Sequence, residues 1–259
     1  MAGVFEVRAT AHRHTDPQGL PWRRELPAVT DHRAVKRLTG LGTVLPAQAW
    51  TDLLACGTVR RHRAGSLLLR QGSSGSYVLA LAEGWVMVTN VAAGGEELAL
   101  AIRGPGEILG EISALDLAPR SASVTALTPC TVHAANSEEF RALIRKHGAA
   151  EAVARHAFAR LRQADQARLE MKALPVPQRL ACALVRLTLS GAADSIGLSQ
   201  EQLARLIGAS RNAVVDALGE LRAQGIIATS RRRLIICNPS ALRALATGSP
   251  PPARNDLAV

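Results

Sequence analysis

Residues Ser199–Gly225 read SQEQLARLIGASRNAVVDALGELRAQG, and side-chain chemistry alone marks two helix starts and one sharp turn in them. Ser199 can accept a hydrogen bond from the backbone N–H three positions on, while Gln202 reaches back to the N–H of Ser199. That reciprocal pair opens a helix at Gln200. Gly208 allows the abrupt turn that ends it. Ser210 then caps a second helix whose Val214, Leu218 and Leu221 form an inward face. A small residue at Ala204, a glycine four positions later and a β-branched residue six after that make a closely crossed helix–turn–helix. The next stretch, IIATSRRRLIICN, has the pattern of a short hairpin. Together these segments predict a winged helix–turn–helix.

Such a motif lays its second helix in the major groove of double-stranded DNA, with the N-terminal side chains toward the bases. Ser210, Arg211 and Asn212 occupy that end, Asp216 lies one turn further on, and Ser199 opens the preceding helix. Arginine pairs bidentately with guanine and asparagine with adenine. Arg231, Arg232 and Arg233 at the wing tip would hold phosphates and set the docking angle. From Pro175 to Asn238 eight arginines face four carboxylates, and the chain as a whole carries a formal +10, which suits a polyanionic partner.

Upstream, LPVPQ (Leu174 to Gln178) must interrupt a helix, because proline restricts itself and the residue before it. Before that break Ala154, Ala157, Leu161, Ala164, Arg168 and Met171 recur at spacings of three and four, a stripe suited to packing on another helix and so to a homodimer. From about Leu45 to His147 the period is that of short strands. SYVLALAEG and WVMVTNV are apolar and β-branched, Gly94-Gly95 is a hairpin-type turn, and EELALAI leads into Gly104-Pro105-Gly106. Strands at about ten-residue spacing predict a β-sandwich or jelly roll. Residues 1–44 show no sustained period and read as a flexible extension.

The expected fold is therefore α+β. It comprises an extension (1–44), a β jelly roll (45–148), a long dimerisation helix (149–173), a winged helix–turn–helix (174–247) and a disordered tail (248–259).

Within the roll, Gly110 to Val124 reads GEISALDLAPRSASV, with Glu111 and Arg120 nine positions apart. If a short helix starts at Gly110, its free N–H groups favour an anion. Arg120 can pair with two phosphate oxygens, and Ser121 adds donors. Glu111 would repel a bare phosphate, so the ligand should also offer a hydroxyl, as a ribose does. One phosphate beside one free sugar hydroxyl describes a 3′,5′-cyclic nucleotide. GPGEILGE lacks the Lys-Ser/Thr of a nucleotide-hydrolase loop.

GEISALDLAPRSA resembles the phosphate-binding cassette of cyclic-nucleotide-binding domains, and with the helix–turn–helix the order resembles the CRP/FNR family of bacterial transcription regulators over about residues 45–245. The resemblance implies that Gly110, Glu111, Ile112 and Ser113 line the sugar and phosphate. Arg120, Ser121 and Ala122 would hold the cyclic phosphate, and the long helix would be the dimer interface. Where cyclic-AMP-responsive members carry a Thr-Ser pair that reads adenine, an ungapped alignment from Phe140 places Asp165 and Gln166. Arg211 matches the family's base-reading arginine, whereas Asn212 and Asp216 replace the Glu and Arg of its best-known members, so a different DNA sequence is expected.

Cys56, Cys130, Cys182 and Cys237 lie 74, 52 and 55 positions apart, far from the CxxC spacing of zinc or iron–sulfur sites. No metal, haem or iron–sulfur cofactor is expected. Apolar runs are too short or too charged for the roughly 18 to 20 residues of a membrane span, and the N-terminus lacks a secretory pattern, so a cytoplasmic, membrane-free location is expected. The expected function is a DNA-binding transcription regulator, not an enzyme, with cyclic AMP favoured over cyclic GMP as effector and RNA polymerase a candidate partner. Two alternatives stand beside it: a regulator that has lost nucleotide dependence, and a nucleotide-sensing regulatory module of an enzyme.

Overall fold

The computed structural model describes residues 4–9, 40–190, 197–230 and 233–248. Two short helices, α1 (Leu41–Val44) and α2 (Ala47–Cys56), lead into strands β2 (Thr58–His62), β3 (Leu67–Leu69), β4 (Tyr77–Glu83), β5 (Val86–Val91), β6 (Glu97–Arg103) and β7 (Ile108–Leu109). Helix α3 (Glu111–Asp116), strands β8 (Ser123–Ala126) and β9 (Cys130–Asn136) and helix α4 (Ser137–Lys146) complete this part. Its strands form two four-stranded sheets, β2-β9-β4-β7 and β3-β8-β5-β6, the two layers of a jelly roll.

Strand β4 shows why an unbroken apolar run suits this place. Successive side chains point to opposite faces. Leu79 and Leu81 pack between the sheets with Leu69, Val86, Leu109, Val124 and Val132. Val78 and Ala80 point outward, under Trp50 and Leu53 of α2 and Phe140 of α4. Both faces are covered, so alternation disappears and the run is continuously apolar.

Helix α5 (Ala150–Ala173) follows, and the chain breaks at Leu174, which is extended as a residue before proline should be. Helix α6 (Val176–Leu189) begins beyond it. Then come β10 (Gly197–Ser199), α7 (Gln200–Ile207), α8 (Arg211–Ala223), the wing strands β11 (Ile227–Ser230) and β12 (Arg233–Ile236), and α9 (Pro239–Thr247). Leu180, Leu184, Leu203, Val214, Leu218, Leu221 and Leu234 fill the core of this winged helix. Trp85, just before β5, and Met87 of β5 join the same cluster, and Arg205 of α7 forms an ion pair with Glu97 of β6. The winged helix is thereby seated on the sheet that contains β8.

Two parts of residues 1–44 depart from the expected unpatterned extension. Strand β1 (Val4–Ala9) lies in the wing sheet, antiparallel to β10 and parallel to β12, in the order β10-β1-β12-β11. Its partners are some 190 and 230 positions away along the chain, so no local period could reveal them. Leu41 is buried in the core beneath α2 and α4, in a helix too short to show a repeat. Residues 10–39 and the tail from 249 lie outside the described residues.

Candidate ligand site and nucleic-acid interface

Gly110 stands at the N-terminus of α3 with φ 82° and ψ 14°, in the left-handed region where a side chain is strained. A Cβ there would lie 2.1 Å from Nη1 of Arg120, so glycine also makes room for the arginine. The Arg120 side chain folds back into the cassette and is only 3% exposed. Nη1 donates to the Gly110 carbonyl (2.8 Å) and to Ser113 Oγ (2.7 Å), and Nη2 donates to the Tyr77 carbonyl. The Tyr77 ring lies under the guanidinium, 5.0 Å from centroid to Cζ. Arg120 Nε is buried with no hydrogen-bond partner. The backbone is pinned as well: Arg120 N–H donates to Ser73 O and Gly72 N–H to Arg120 O, both at 2.8 Å.

Glu111 and Arg120 attract each other electrostatically without forming a direct ion pair. Burial pushes the Glu111 carboxyl up from its ordinary value, opposed by the N–H groups of Glu111 and Gly110 and by Arg103 and Arg120. Burial also pulls Arg120 down, with Tyr77 and Glu111 opposing. The result is a sheltered carboxyl beside a buried cation whose Nε–H has no acceptor. Such a set lacks one anionic acceptor and offers one acceptor to a hydroxyl.

Of the remaining residues singled out in the cassette, Ser113 is buried, Ala122 is half-buried, and Ile112 and Ser121 are exposed. Ser121 O accepts from Asn90 Nδ2 at 2.7 Å, and Gln71 bridges onward to Asn90 and Val91. Tyr77, Asn90 and Arg103 are site residues that the sequence reading missed. Tyr77 carried one usable signal, as the only tyrosine of the chain, at the start of a strand.

Asp165 and Gln166 are exposed on α5, and no hydrogen bond or ion pair joins either to the cassette. Asp165 accepts from Arg168 Nη1 at 2.9 Å. The expected stripe of Ala154, Ala157, Leu161, Ala164, Arg168 and Met171 is exposed along its length. Leu161 within it is 55% exposed, and Phe158 (60%) and Leu169 (61%) widen it. It is an apolar face that the other described residues leave uncovered.

At the helix–turn–helix the local chemistry is as read. Ser199 Oγ accepts from Gln202 N–H (3.1 Å) and Gln202 Oε1 from Ser199 N–H (2.8 Å). Gly208 ends α7 at φ 60°, ψ 50°. Ser210 Oγ accepts from Ala213 N–H at 3.2 Å. Arg211, Asn212 and Asp216 are exposed along one side of α8. Arg211 Nε donates to Gln200 Oε1 at 3.3 Å, which ties together the N-terminal ends of the two helices and adds Gln200 to the surface. Arg179 Nη1 donates to the carbonyls of Ile207 (3.1 Å) and Gly208 (3.0 Å), a cation set at the negative end of α7. Arg231 and Arg232 lie outside the described residues, and only the backbone of Arg233, at the start of β12, is described.

A jelly roll with a ligand cassette, a long exposed helix and a winged helix–turn–helix together make the architecture of a ligand-sensing DNA-binding regulator. Residues 59–147 match the cyclic nucleotide-binding domain, and residues 178–245 match the Crp-like helix-turn-helix domain. The chain is 35% identical over 176 residues to the cyclic AMP receptor protein of Thermus thermophilus, covering 65% of this chain and 78% of that one. It is 28% identical over 186 residues to the CRP-like cAMP-activated global transcriptional regulator of Mycobacterium tuberculosis, covering 69% and 83%. Its fold is similar to that of the c-di-GMP-responsive global regulator CLP of Xanthomonas campestris, with a TM-score of 0.64 at 22% identity over 74% and 99% of the two chains. The chain belongs to the CRP/FNR family of transcription regulators. No helix among the described residues is long and apolar enough to cross a membrane.

Proposed function

We propose that this protein is a homodimeric transcription regulator in which a cyclic nucleotide, cyclic AMP in preference to cyclic GMP, controls binding to a palindromic DNA site. The observation that carries the reading is the buried Arg120 guanidinium, with its Nε–H unpartnered beside the sheltered Glu111 carboxyl. A cyclic phosphate supplies the missing acceptor, and the ribose 2′-hydroxyl supplies a donor for Glu111. Gly110, Ile112, Ser113, Ser121 and Ala122 shape the pocket around them. Asp165 and Gln166, from α5, would meet the purine edge.

Two chains would pair through the exposed face of α5, burying Phe158 and Leu161. Their recognition helices would then enter successive major grooves about 34 Å apart, with Ser210, Arg211, Asn212 and Asp216 at the bases. Ser199 and wing arginines 231–233 would meet the phosphates. The nucleotide acts by population shift: it binds the DNA-competent arrangement more tightly than the alternative.

A second reading is favoured by one observation. Both terminal nitrogens of Arg120 already donate to Gly110, Ser113 and Tyr77, the arrangement expected of a regulator that no longer needs nucleotide. Calorimetric titration with cyclic AMP and cyclic GMP, on wild type and Arg120→Ala, separates the two. Saturable heat with wild type, tighter for cyclic AMP and lost in Arg120→Ala, supports nucleotide control. Silence from both nucleotides, with DNA binding intact, leaves the ligand-independent regulator.

A further inference from the structure

Glu107 lies in the turn between β6 and β7, three positions before Gly110, and is 5% exposed. Its carboxylate forms an ion pair with Arg160, which projects from α5. Arg160 Nε donates to Nε2 of His156 one turn back (3.0 Å), and that nitrogen lies 4.0 Å from Glu107 Oε2. The second terminal nitrogen of Arg160 is buried without a partner. Thus the turn that leads through β7 into the cassette is bolted to α5 five positions before Asp165. A buried ion pair of this kind contributes little net stability, since desolvation offsets its attraction, but it fixes geometry.

We propose that Arg160 is a positioning residue: through Glu107 and His156 it sets the register of α5 against the cassette, and so where Asp165 and Gln166 stand over a bound nucleotide. This rests on the nucleotide-controlled reading above. The groups facing Glu107 are Arg103 from β6, Glu111 from α3, His156 and Arg160 from α5, and the backbone of Leu41 from α1. Burial pushes the Glu107 carboxyl up to about 7, with Arg103 opposing. Burial, then Arg103, pulls His156 down, so that its neutral ring accepts from Arg160. Acid weakens the bolt on both counts, because protonated Glu107 no longer attracts Arg160 as an anion and protonated His156 repels it.

The test is cyclic AMP and cyclic GMP affinity, measured by calorimetry from pH 6 to 8, for full-length wild type, Arg160→Met, Arg160→Lys and Glu107→Gln. The expected result is a roughly tenfold loss of cyclic AMP affinity in Arg160→Met, within the usual range of coupling between sites. The preference between the two nucleotides should narrow, and Arg160→Lys should recover part of both. Wild-type affinity should fall as pH drops from 8 to 6, and Glu107→Gln should flatten that fall; Glu111 and His156 are the same in both proteins, so the difference between them isolates Glu107. If Arg160→Met is folded and keeps wild-type affinity, preference and pH profile, the positioning role is overturned. If Arg160→Met does not fold, Arg160→Lys and Glu107→Gln decide by the same comparison. Wild type that binds neither nucleotide overturns the underlying reading instead.

Discussion

The guanidinium of Arg120 lies 5.0 Å from the ring centre of Tyr77 and donates to the carbonyl of the same residue. The tyrosine therefore holds the cation by its face and by its backbone, and only the first of these depends on the side chain. Tyr77→Leu removes the ring and leaves the carbonyl. A cation–π contact of this kind contributes about 0.5–2 kcal/mol. Cyclic nucleotide affinity should fall by roughly three- to tenfold in Tyr77→Leu and stay near wild type in Tyr77→Phe, as read by calorimetry. Equal loss in both would place the effect in the hydroxyl.

Gly110→Ala should be more damaging. The new Cβ meets Arg120 Nη1 at 2.1 Å, and φ 82° is strained for any residue with a side chain. Strain alone costs about 1–3 kcal/mol, and displaced Arg120 loses its hydrogen bonds. Urea unfolding should show destabilisation of at least that size, and nucleotide binding should vanish. Retained binding in Gly110→Ala would mean that the arginine has another place to go.

Asp52 of α2 ties that helix to α4. It accepts from Lys146 Nζ (2.8 Å) and Gln48 Nε2 (2.7 Å) and lies 3.0 Å from His147 Nε2. These partners, Lys146 first, hold its carboxyl well below the usual carboxylate range. A depressed carboxylate stabilises the fold above its unfolded value, near 3.8, and that stabilisation is lost as pH falls below it. Melting temperature in Asp52→Asn should be lower at pH 7 and decline less between about pH 5 and pH 2 than in wild type. Parallel wild-type and variant curves would mean that the ion pairs are screened by solvent.

Arg211 is exposed at the start of α8, and Gln200 holds it by a single 3.3 Å contact, so it is free to turn toward a base. Arg211→Ala should weaken specific DNA binding by about 1–3 kcal/mol while nonspecific binding stays nearly unchanged. Electrophoretic shift or fluorescence anisotropy, with specific and scrambled duplexes at one salt concentration, reads the difference. Equal loss on both duplexes would put Arg211 on phosphate.

The parts of this molecule legible in the sequence are those whose chemistry closes over a few residues. Ser199 with Gln202, Ser210 with the N–H of Ala213, and Gly208 at its turn are all settled within one helical turn, and each is found as read. The cassette has the same character, since Gly110, Ser113 and Arg120 lie within ten positions. What could not be read joins distant positions: Tyr77 to Arg120, Asn90 to Ser121, Glu97 to Arg205, Glu107 to Arg160. Neither propensity nor period reports such pairs, because each partner is an ordinary polar residue in its own segment. Strand β1 is the limiting case, as its place in the wing sheet depends on strands at the other end of the chain.

The apolar face of α5 bears on everything downstream. Phe158, Leu161 and Leu169 are more than half exposed on a 24-residue helix, and burying what remains exposed of each against a second copy would contribute about 1–2 kcal/mol. Arg168 lies on the same stripe but is turned to Asp165, which removes part of the cost of placing a cation at a seam. Leu161→Glu sets a charge at the middle of the stripe on both copies, so its effect is doubled by symmetry. Sedimentation equilibrium should show a dimer for wild type and a monomer for Leu161→Glu at micromolar concentration, with helical content unchanged. Affinity for a palindromic duplex should then drop by two to four orders of magnitude, because the second recognition helix no longer benefits from effective concentration. Binding to a single half-site should hardly change. A dimer that persists in Leu161→Glu would move the interface off α5 altogether.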